Sequence, residues 1–362
     1  MGGQPTSICF LLPGRLDRPV GGHKVVYQYA NYLAEKGHSV RIVNCIFQRS
    51  RLSAATEMLR RGYALVRWIG RALRGKNTCR GWYPLAEGIR EQAVWTYDVR
   101  FMPRADYYVA TDATTSPHLL DYPVPDDHKV YFIQAYENWR MTDEELRTTW
   151  HYPYKRVVIA HWLQRLLEEE GLDCVFVPNG FDPEEFHMTI PIEEKDARCI
   201  SMLWHEQADK NSKMGLAALE QVVARHPETQ ALLFGVYPRP ENLPAYCTYY
   251  QSPDRETHNQ INNRAAIYIG TSTVEGWGLP VMEAMACGQA VACTDNAGYR
   301  EMAEDDVTAL MSPVCDANAL AENILRLMDD DALRYRIAET GYQRILPFSS
   351  ERSNALFAAL FE

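Results

Sequence analysis

The 362-residue sequence has no run of about 18 apolar residues, so it offers no membrane-spanning helix. The apolar run near its start, Ile8 to Leu12, is too short for the core of a secretory signal, and no signal peptide is expected. There is no C-x-x-C pair, and the nine cysteines are odd in number and scattered in spacing. That argues against a disulfide framework and a structural zinc site, and it points to the reducing cytosol. No internal repeat and no low-complexity tract occurs, which removes solenoids and disordered arrays. "MGGQPT" formally fits an N-myristoylation start, but so loose a pattern recurs by chance and is set aside.

Acids are nearly missing from one stretch. Residues 49–80 carry nine Lys and Arg against one acid, Glu57, whereas the remaining chain holds 28 bases and 46 acids, so the net charge of −10 conceals a basic island. So acidic a body is a poor partner for nucleic acid, and no zinc finger, basic zipper or RNA-binding signature is present. Within "EMLRRGYALVRWIGRALRGK", Arg60, Arg67, Arg71 and Arg74 follow helical spacing on one face. Leu59, Val66, Ile69 and Leu73 cluster towards another, with Trp68 near the border. Such a helix can lie in an anionic membrane interface or bind an anionic or lipid-linked acceptor. Residues 49–80 are thus the candidate for peripheral contact with the inner membrane face by an otherwise cytoplasmic protein; the plain alternative is a solvated helix face.

A chain of this length exceeds what one hydrophobic core usually supports, roughly 250 to 300 residues, so two lobes with a cleft are expected. "SICFLLPG" reads as a buried parallel strand, followed by a helix through Val25, Val26, Tyr29, Ala30 and Leu33 that ends at Gly37. "SVRIVN" then resumes strand character, giving a βαβ unit with Gly21 and Gly22 at its first turn. Further strands are expected in "YYVAT", "KVYFIQ", "RVVIA" and "CVFVPNG". "FDPEEFHMTIPIEEKDA" is polar and poorly periodic, as in a linker, after which "RCISMLW", "TQALLFG", "AAIYIGTS" and "AVACTD" restart the strand pattern. The fold class is therefore α/β, with two Rossmann-like parallel-sheet domains: residues 1–185, residues 186–345, and a closing helix in 346–362 that packs back towards the first domain.

The stretch "EGWGLPVMEAMACG", residues 275–288, reads as a loop entering a helix, with Pro280 at the first helical position and Gly288 just past the end. Gly276 and Gly278 let backbone approach a ligand closely. The unpaired N–H groups and dipole of the helix start face the same loop, where an anion such as phosphate is the natural occupant. Glu283, expected in the first helical turn, can accept from the two hydroxyls of a ribose, and Glu275 from hydroxyls of a second sugar. Two carboxylates flanking a phosphate loop describe a nucleoside diphosphate sugar.

"STVEGWGLPVMEAMACGQAVACTDNAGYREM" resembles the E-x7-E signature of retaining glycosyltransferases of the GT-B fold, in particular family GT4. The resemblance runs through "MLWHEQADKNSKMGLAAL" and, more loosely, "RPVGGHKVVYQYANYLAEKGHSVRIV" and "VFVPNGFD". It implies that Glu283 holds the donor ribose, that Glu275 contacts the transferred sugar, and that Gly276, Trp277, Gly278 and Leu279 face sugar and phosphate, with Gly21 and Gly22 also on the donor side. Lys210 falls where the family has its phosphate-binding lysine, with Lys213 as competitor; His205 stands near the usual place of an arginine. Tyr249 or Tyr250 would stack on the base and Ser252 hydrogen-bond its edge. Where many relatives have an N-domain histidine, this chain has "YFIQAYENW", so Gln134, Tyr136, Glu137 and His161 are the acceptor-side candidates; that stretch is similar to a bacterial subgroup with rhamnosyltransferases of surface-polysaccharide assembly.

The resemblance implies transfer of a hexose or deoxyhexose with retention of configuration, from a UDP, TDP or GDP sugar, to a glycan, lipid-linked or small-molecule acceptor. The "DDD" at 329–331 is read as a helix cap and not a metal motif, and no metal or other cofactor is expected. The rivals are a catalytically silent nucleotide-sugar-binding subunit and a sugar epimerase or phosphorylase of the same architecture.

Overall fold

The computed structural model describes residues 5–14, 19–47, 54–73, 79 and 82–362. The chain divides into two compact units, Met1–Val177 with Asn354–Glu362 and Pro178–Ser353. Residues 178–185, read from sequence with the first domain, thus fall in the second unit.

The first unit contains β1 (Ser7–Leu12), α1 (Gly21–Glu35), β2 (Ser39–Cys45), α2 (Ala54–Ala72), β3 (Arg90–Val94), β4 (Tyr107–Ala110), β5 (Lys129–Ile133), α3 (Asp143–Trp150), β6 (Lys155–Val158), α4 (His161–Glu169) and β7 (Val175–Phe176). The strands form one parallel sheet in the order β3-β2-β1-β4-β5-β6-β7. β1 is buried from Ile8 to Leu12, the burial expected of a strand covered on both faces. α1 buries Val25, Val26, Tyr29, Ala30 and Leu33, the periodic positions of the sequence, and Gly37 follows its end at φ 93°. β3, "REQAV", was not expected: its polar residues suit the sheet edge it occupies and leave no apolar signature. β7 is two residues long where "CVFVPNG" suggested a longer strand.

The second unit contains β8 (Asp196–Leu203), α5 (Ser212–Arg225), β9 (Gln230–Gly235), β10 (Cys247–Gln251), α6 (Arg255–Arg264), β11 (Ala265–Gly270), α7 (Leu279–Ala286), β12 (Ala290–Thr294), β13 (Leu310–Ser312), α8 (Ala317–Asp329) and α9 (Asp331–Ile345). Its sheet is parallel, ordered β10-β9-β8-β11-β12-β13, over a core that includes Ile200, Leu233, Ile267, Ala292 and Ile324. The stretch read as a linker is irregular but tied down. Asn263 Oδ1 accepts from the Thr189 backbone N–H at 2.6 Å, its amide donates to the His187 carbonyl, and Lys195 Nζ donates to the Asn263 carbonyl at 2.6 Å. Burial lowers the Lys195 pKa to about 8. In the "DDD" run, Asp330 caps α9 by accepting from the Leu333 N–H at 2.9 Å.

The closing helix, α10 (Ser350–Ala358), places Phe357 in the first unit, where its ring stacks on Tyr29 with centroids 4.1 Å apart and meets Phe10 and Phe132. Phe357 is fully buried. Phe357→Ala is expected to destabilise this unit by about 3 to 5 kcal/mol, read as a lower urea midpoint; an unchanged midpoint would show that the helix is dispensable to it.

Candidate functional site

In a parallel α/β sheet, ligands bind beyond the carboxyl ends of the strands at the point where the strand order reverses. In the second unit that point lies between β8 and β11, since β9 and β10 follow β8 to one side and β11 starts the other. The loops leaving these two strands carry most of the second unit's sequence-derived candidates. After β8 come His205 and a short turn, Ala208–Lys210, then Asn211 in the left-handed region at φ 49° ahead of α5. After β11 comes the loop from Thr271 to Gly278.

Hydrogen bonds strap the loops together. Thr271 Oγ1 donates to the Lys210 carbonyl at 2.6 Å, and the Thr273 N–H donates to the Asp209 carbonyl at 2.7 Å. The straps bring Lys210 Nζ to 2.8 Å from Glu275 Oε1, with side-chain exposures of 22% and 12%. Ser272 Oγ donates to the same carboxylate oxygen at 2.8 Å. Lys213, the competing lysine, is exposed on α5. Beneath the loop, a Cβ on Gly298 would stand 2.5 Å from the Glu275 carbonyl oxygen, so only glycine allows this approach.

Gly278 precedes α7 at φ 102°, and a Cβ there would also meet the Tyr299 ring at 2.6 Å. The helix starts at Leu279, which makes Pro280 its second residue instead of its first; Gly288 follows the end at φ 75°. Glu283 is consequently not in the first turn. It is the fifth residue of α7 and buried, beyond the reach of most of the N-terminal dipole. Tyr268 of β11 feels both acids: burial, reinforced by Glu275 and Glu283, holds its phenol far above the usual range. Trp277 is buried, its indole N–H directed at Met282 Sδ and its ring edge-on to Phe348. Gly276 and Leu279 border it on the same loop and helix start.

His205 sits at the end of β8, its N–H donating to Ser212 Oγ at 2.9 Å. Its Nδ1 accepts from the Gln207 N–H at 3.1 Å, which leaves Nε2 as the ring's donor, and its ring meets Tyr237 edge-on at 4.8 Å. Tyr249 donates its hydroxyl to the Tyr237 carbonyl at 2.6 Å and packs on the core, which leaves Tyr250, half-buried, as the ring of that pair without a core role. Ser252 is exposed at φ 48°, its N–H donating to the Gly235 carbonyl at 2.7 Å.

In the first unit the order reverses between β1 and β4. Gly21 and Gly22 open α1 there, and the Gln134 amide lies 3.2 Å from where a Gly22 Cβ would stand. Gln134 also donates to the Thr111 carbonyl at 3.3 Å. Tyr136 is half-buried and edge-on to Trp150; His161 opens α4 on the surface, its ring 4.0 Å from that of Phe176. Glu137 is buried, and its Oε2 accepts from the Ala113 N–H at 2.6 Å. Burial, reinforced by the neighbouring Asp112 carboxylate, holds the Glu137 carboxyl well above its ordinary range. Asp112 is also raised by burial, an effect opposed by Thr114 and Arg140. Glu137 therefore supports the loop after β4 from inside the unit.

Sequence reading did not single out Thr271, Ser272, Tyr268, Gly298 or Tyr299. Hydroxyls and glycines in "GTSTVEG" and "NAGYREM" have no periodicity to mark them, and their roles arise only when two loops meet.

The match to known proteins falls on the same segment. Residues 195–344 match the family model Glycosyl transferases group 1. The phosphatidyl-myo-inositol mannosyltransferase of Mycolicibacterium smegmatis is 27% identical over 202 residues, 52% of this chain and 52% of that protein. The chain thus spans about half the length of the curated relatives it matches. Among solved structures, the sucrose-phosphate synthase of Thermosynechococcus elongatus has a TM-score of 0.70 at 15% identity, covering 98% of both chains. Anabaena HepE in complex with UDP and glucose gives 0.70 at 15% identity, covering 98% of this chain and 99% of its own. The fold is GT-B, two Rossmann-like α/β domains. The family match supports a glycosyltransferase domain in the second unit.

The buried acid of the GT-B protein's first unit has a measurable consequence. With its pKa raised, folded Glu137 keeps a proton that the unfolded chain releases above about pH 4.3, so stability falls as pH rises from there towards the raised value. Glu137→Gln removes this cost and leaves an oxygen for the Ala113 N–H. Urea unfolding from about pH 5 to about pH 8 should show a flatter decline in the variant; an identical slope would contradict a raised Glu137 carboxyl.

Proposed function

We propose that the protein is a retaining glycosyltransferase that moves a hexose or deoxyhexose from a nucleoside diphosphate sugar to a glycan or lipid-linked acceptor in bacterial surface-polysaccharide or glycoconjugate assembly. The observation that carries this reading is the Lys210–Glu275 pair, held at 2.8 Å beside the start of α7 where the strand order reverses. On donor binding, Lys210 exchanges Glu275 for a phosphate oxygen while Ser272 keeps the carboxylate in place. Glu275 then accepts from hydroxyls of the transferred sugar, and Glu283 from those of the ribose. His205 Nε2 and the first N–H groups of α7 add donors around the diphosphate.

Catalysis in this reading is positioning and electrostatics. The bond from the sugar C1 to the phosphate oxygen breaks, negative charge gathers on the leaving diphosphate, and Lys210 and His205 stabilise it. The acceptor hydroxyl attacks C1 from the same face, and its proton passes to a phosphate oxygen, so configuration is retained. Tyr250 and Ser252 flank the base, and Gln134, Tyr136 and His161 face the acceptor. HepE, solved with UDP and glucose, and the mannosyltransferase relatives support the substrate class; the surface-polysaccharide assignment rests on "YFIQAYENW".

A thermal-shift series with UDP, TDP and GDP sugars should single out one base, since a ligand at 100 times its Kd stabilises by about 2.7 kcal/mol. Glu283→Ala should abolish that shift for every donor while leaving the unliganded midpoint near the parent's; donor shifts of parental size in the variant would overturn the ribose assignment. Lys210→Ala should lower kcat about a hundredfold or more, and an unchanged kcat would remove Lys210 from the leaving-group site. Slow donor hydrolysis without acceptor distinguishes a transferase from a silent binding subunit.

A further inference from the structure

We infer that α2 is a docking surface for an anionic lipid bilayer, entered by the apolar face of the helix. The inference stands on this helix and not on the donor site. A helix at the surface of a water-soluble unit ordinarily turns its apolar stripe to the core. In α2 the stripe is turned outward: Met58, Leu59, Tyr63, Val66, Ile69 and Leu73, the last just past the helix end, are all exposed, from 44% at Ile69 to 84% at Leu73. At roughly 100° per residue these six fall within an arc of about 140°. Gly62 and Gly70 lie on the same arc, and a Cβ on either would meet nothing within 4 Å. Single exposed apolar residues are ordinary, whereas a contiguous row of six marks an interaction surface.

Charge selects the occupant. Arg67 borders the arc, its guanidinium 5.6 Å over the Tyr63 ring, and Arg71 follows one turn later on the same side. They belong to the island of nine bases and one acid in a chain whose net charge is −10. An apolar pocket on another protein would use the arc and have no need of the arginines. An anionic interface uses both, with apolar side chains at the acyl boundary and guanidinium groups among the phosphates. Among the described residues no helix is long and apolar enough to cross a membrane, so α2 would lie in the plane of the interface.

Co-sedimentation of the full chain with vesicles of equal parts phosphatidylglycerol and phosphatidylcholine, and with phosphatidylcholine alone, tests this at low and high salt. The protein should pellet with the anionic vesicles at low salt, stay in the supernatant with phosphatidylcholine alone, and be released by salt. Val66→Glu with Leu73→Glu should weaken vesicle binding at least about tenfold, and Arg67→Glu severalfold. Because these side chains are exposed, the melting midpoint and the donor-induced thermal shift should be those of the parent. Equal recovery in the supernatant with and without anionic lipid would overturn the inference, as would pelleting unaffected by the double substitution. A concentration-dependent dimer that the double substitution abolishes would assign the face to a second copy of the chain and overturn it too.

Discussion

One ion pair organises the second unit's site: Lys210 Nζ and Glu275 Oε1, 2.8 Å apart, reaching out from the loops after β8 and β11. Partly exposed pairs of this kind add little to stability, and the pair matters for where it puts charge. Its geometry comes from bonds to backbone carbonyls, Thr271 Oγ1 to that of Lys210 and the Thr273 N–H to that of Asp209, which hold the two loops together. In the proposed reading, the cation is thereby held ready for a phosphate and the carboxylate for the hydroxyls of a sugar.

That arrangement constrains its surroundings. Gly298 must lack a Cβ because the Glu275 backbone passes through the space one would need, and Gly278 must take a positive φ against the Tyr299 ring. Tyr299 lies in the core, and burial with Glu275 beside it keeps its phenol protonated. The short helix α7 sits on this base with Glu283 inward, at a depth where the dipole contributes little and the carboxylate's partners must decide its role.

Much of this was legible in the sequence because each feature has a local physical cause. Continuous apolar runs gave β1, β5 and β11 within a residue or two, and "EGWGLPVMEAMACG" carries its own punctuation in Gly278, Pro280 and Gly288. What stayed hidden depends on meetings between distant residues. β3 is polar because it lies at an edge; Ser272 and Thr271 are ordinary loop residues until Lys210 arrives from elsewhere; Glu137 reads as an acceptor-side candidate but is buried beside Asp112. The outward turn of α2 also escaped the pattern alone, since periodicity shows that a helix has two faces and not which one meets water. On the proposed function the two units would differ in the same way: a diphosphate and a ribose would impose fixed demands on the second, whereas acceptors of many shapes would leave the first without a comparable signature.

The most direct test is a crystal structure of the chain with its bound donor, or with the corresponding nucleoside diphosphate. The account predicts a phosphate oxygen within hydrogen-bond distance, about 3 Å, of both Lys210 Nζ and the first N–H groups of α7, with the ribose on Glu283 and Ser272 still on Glu275. Diphosphate density away from that helix start, or a Glu283 carboxylate turned from the ribose, would contradict it.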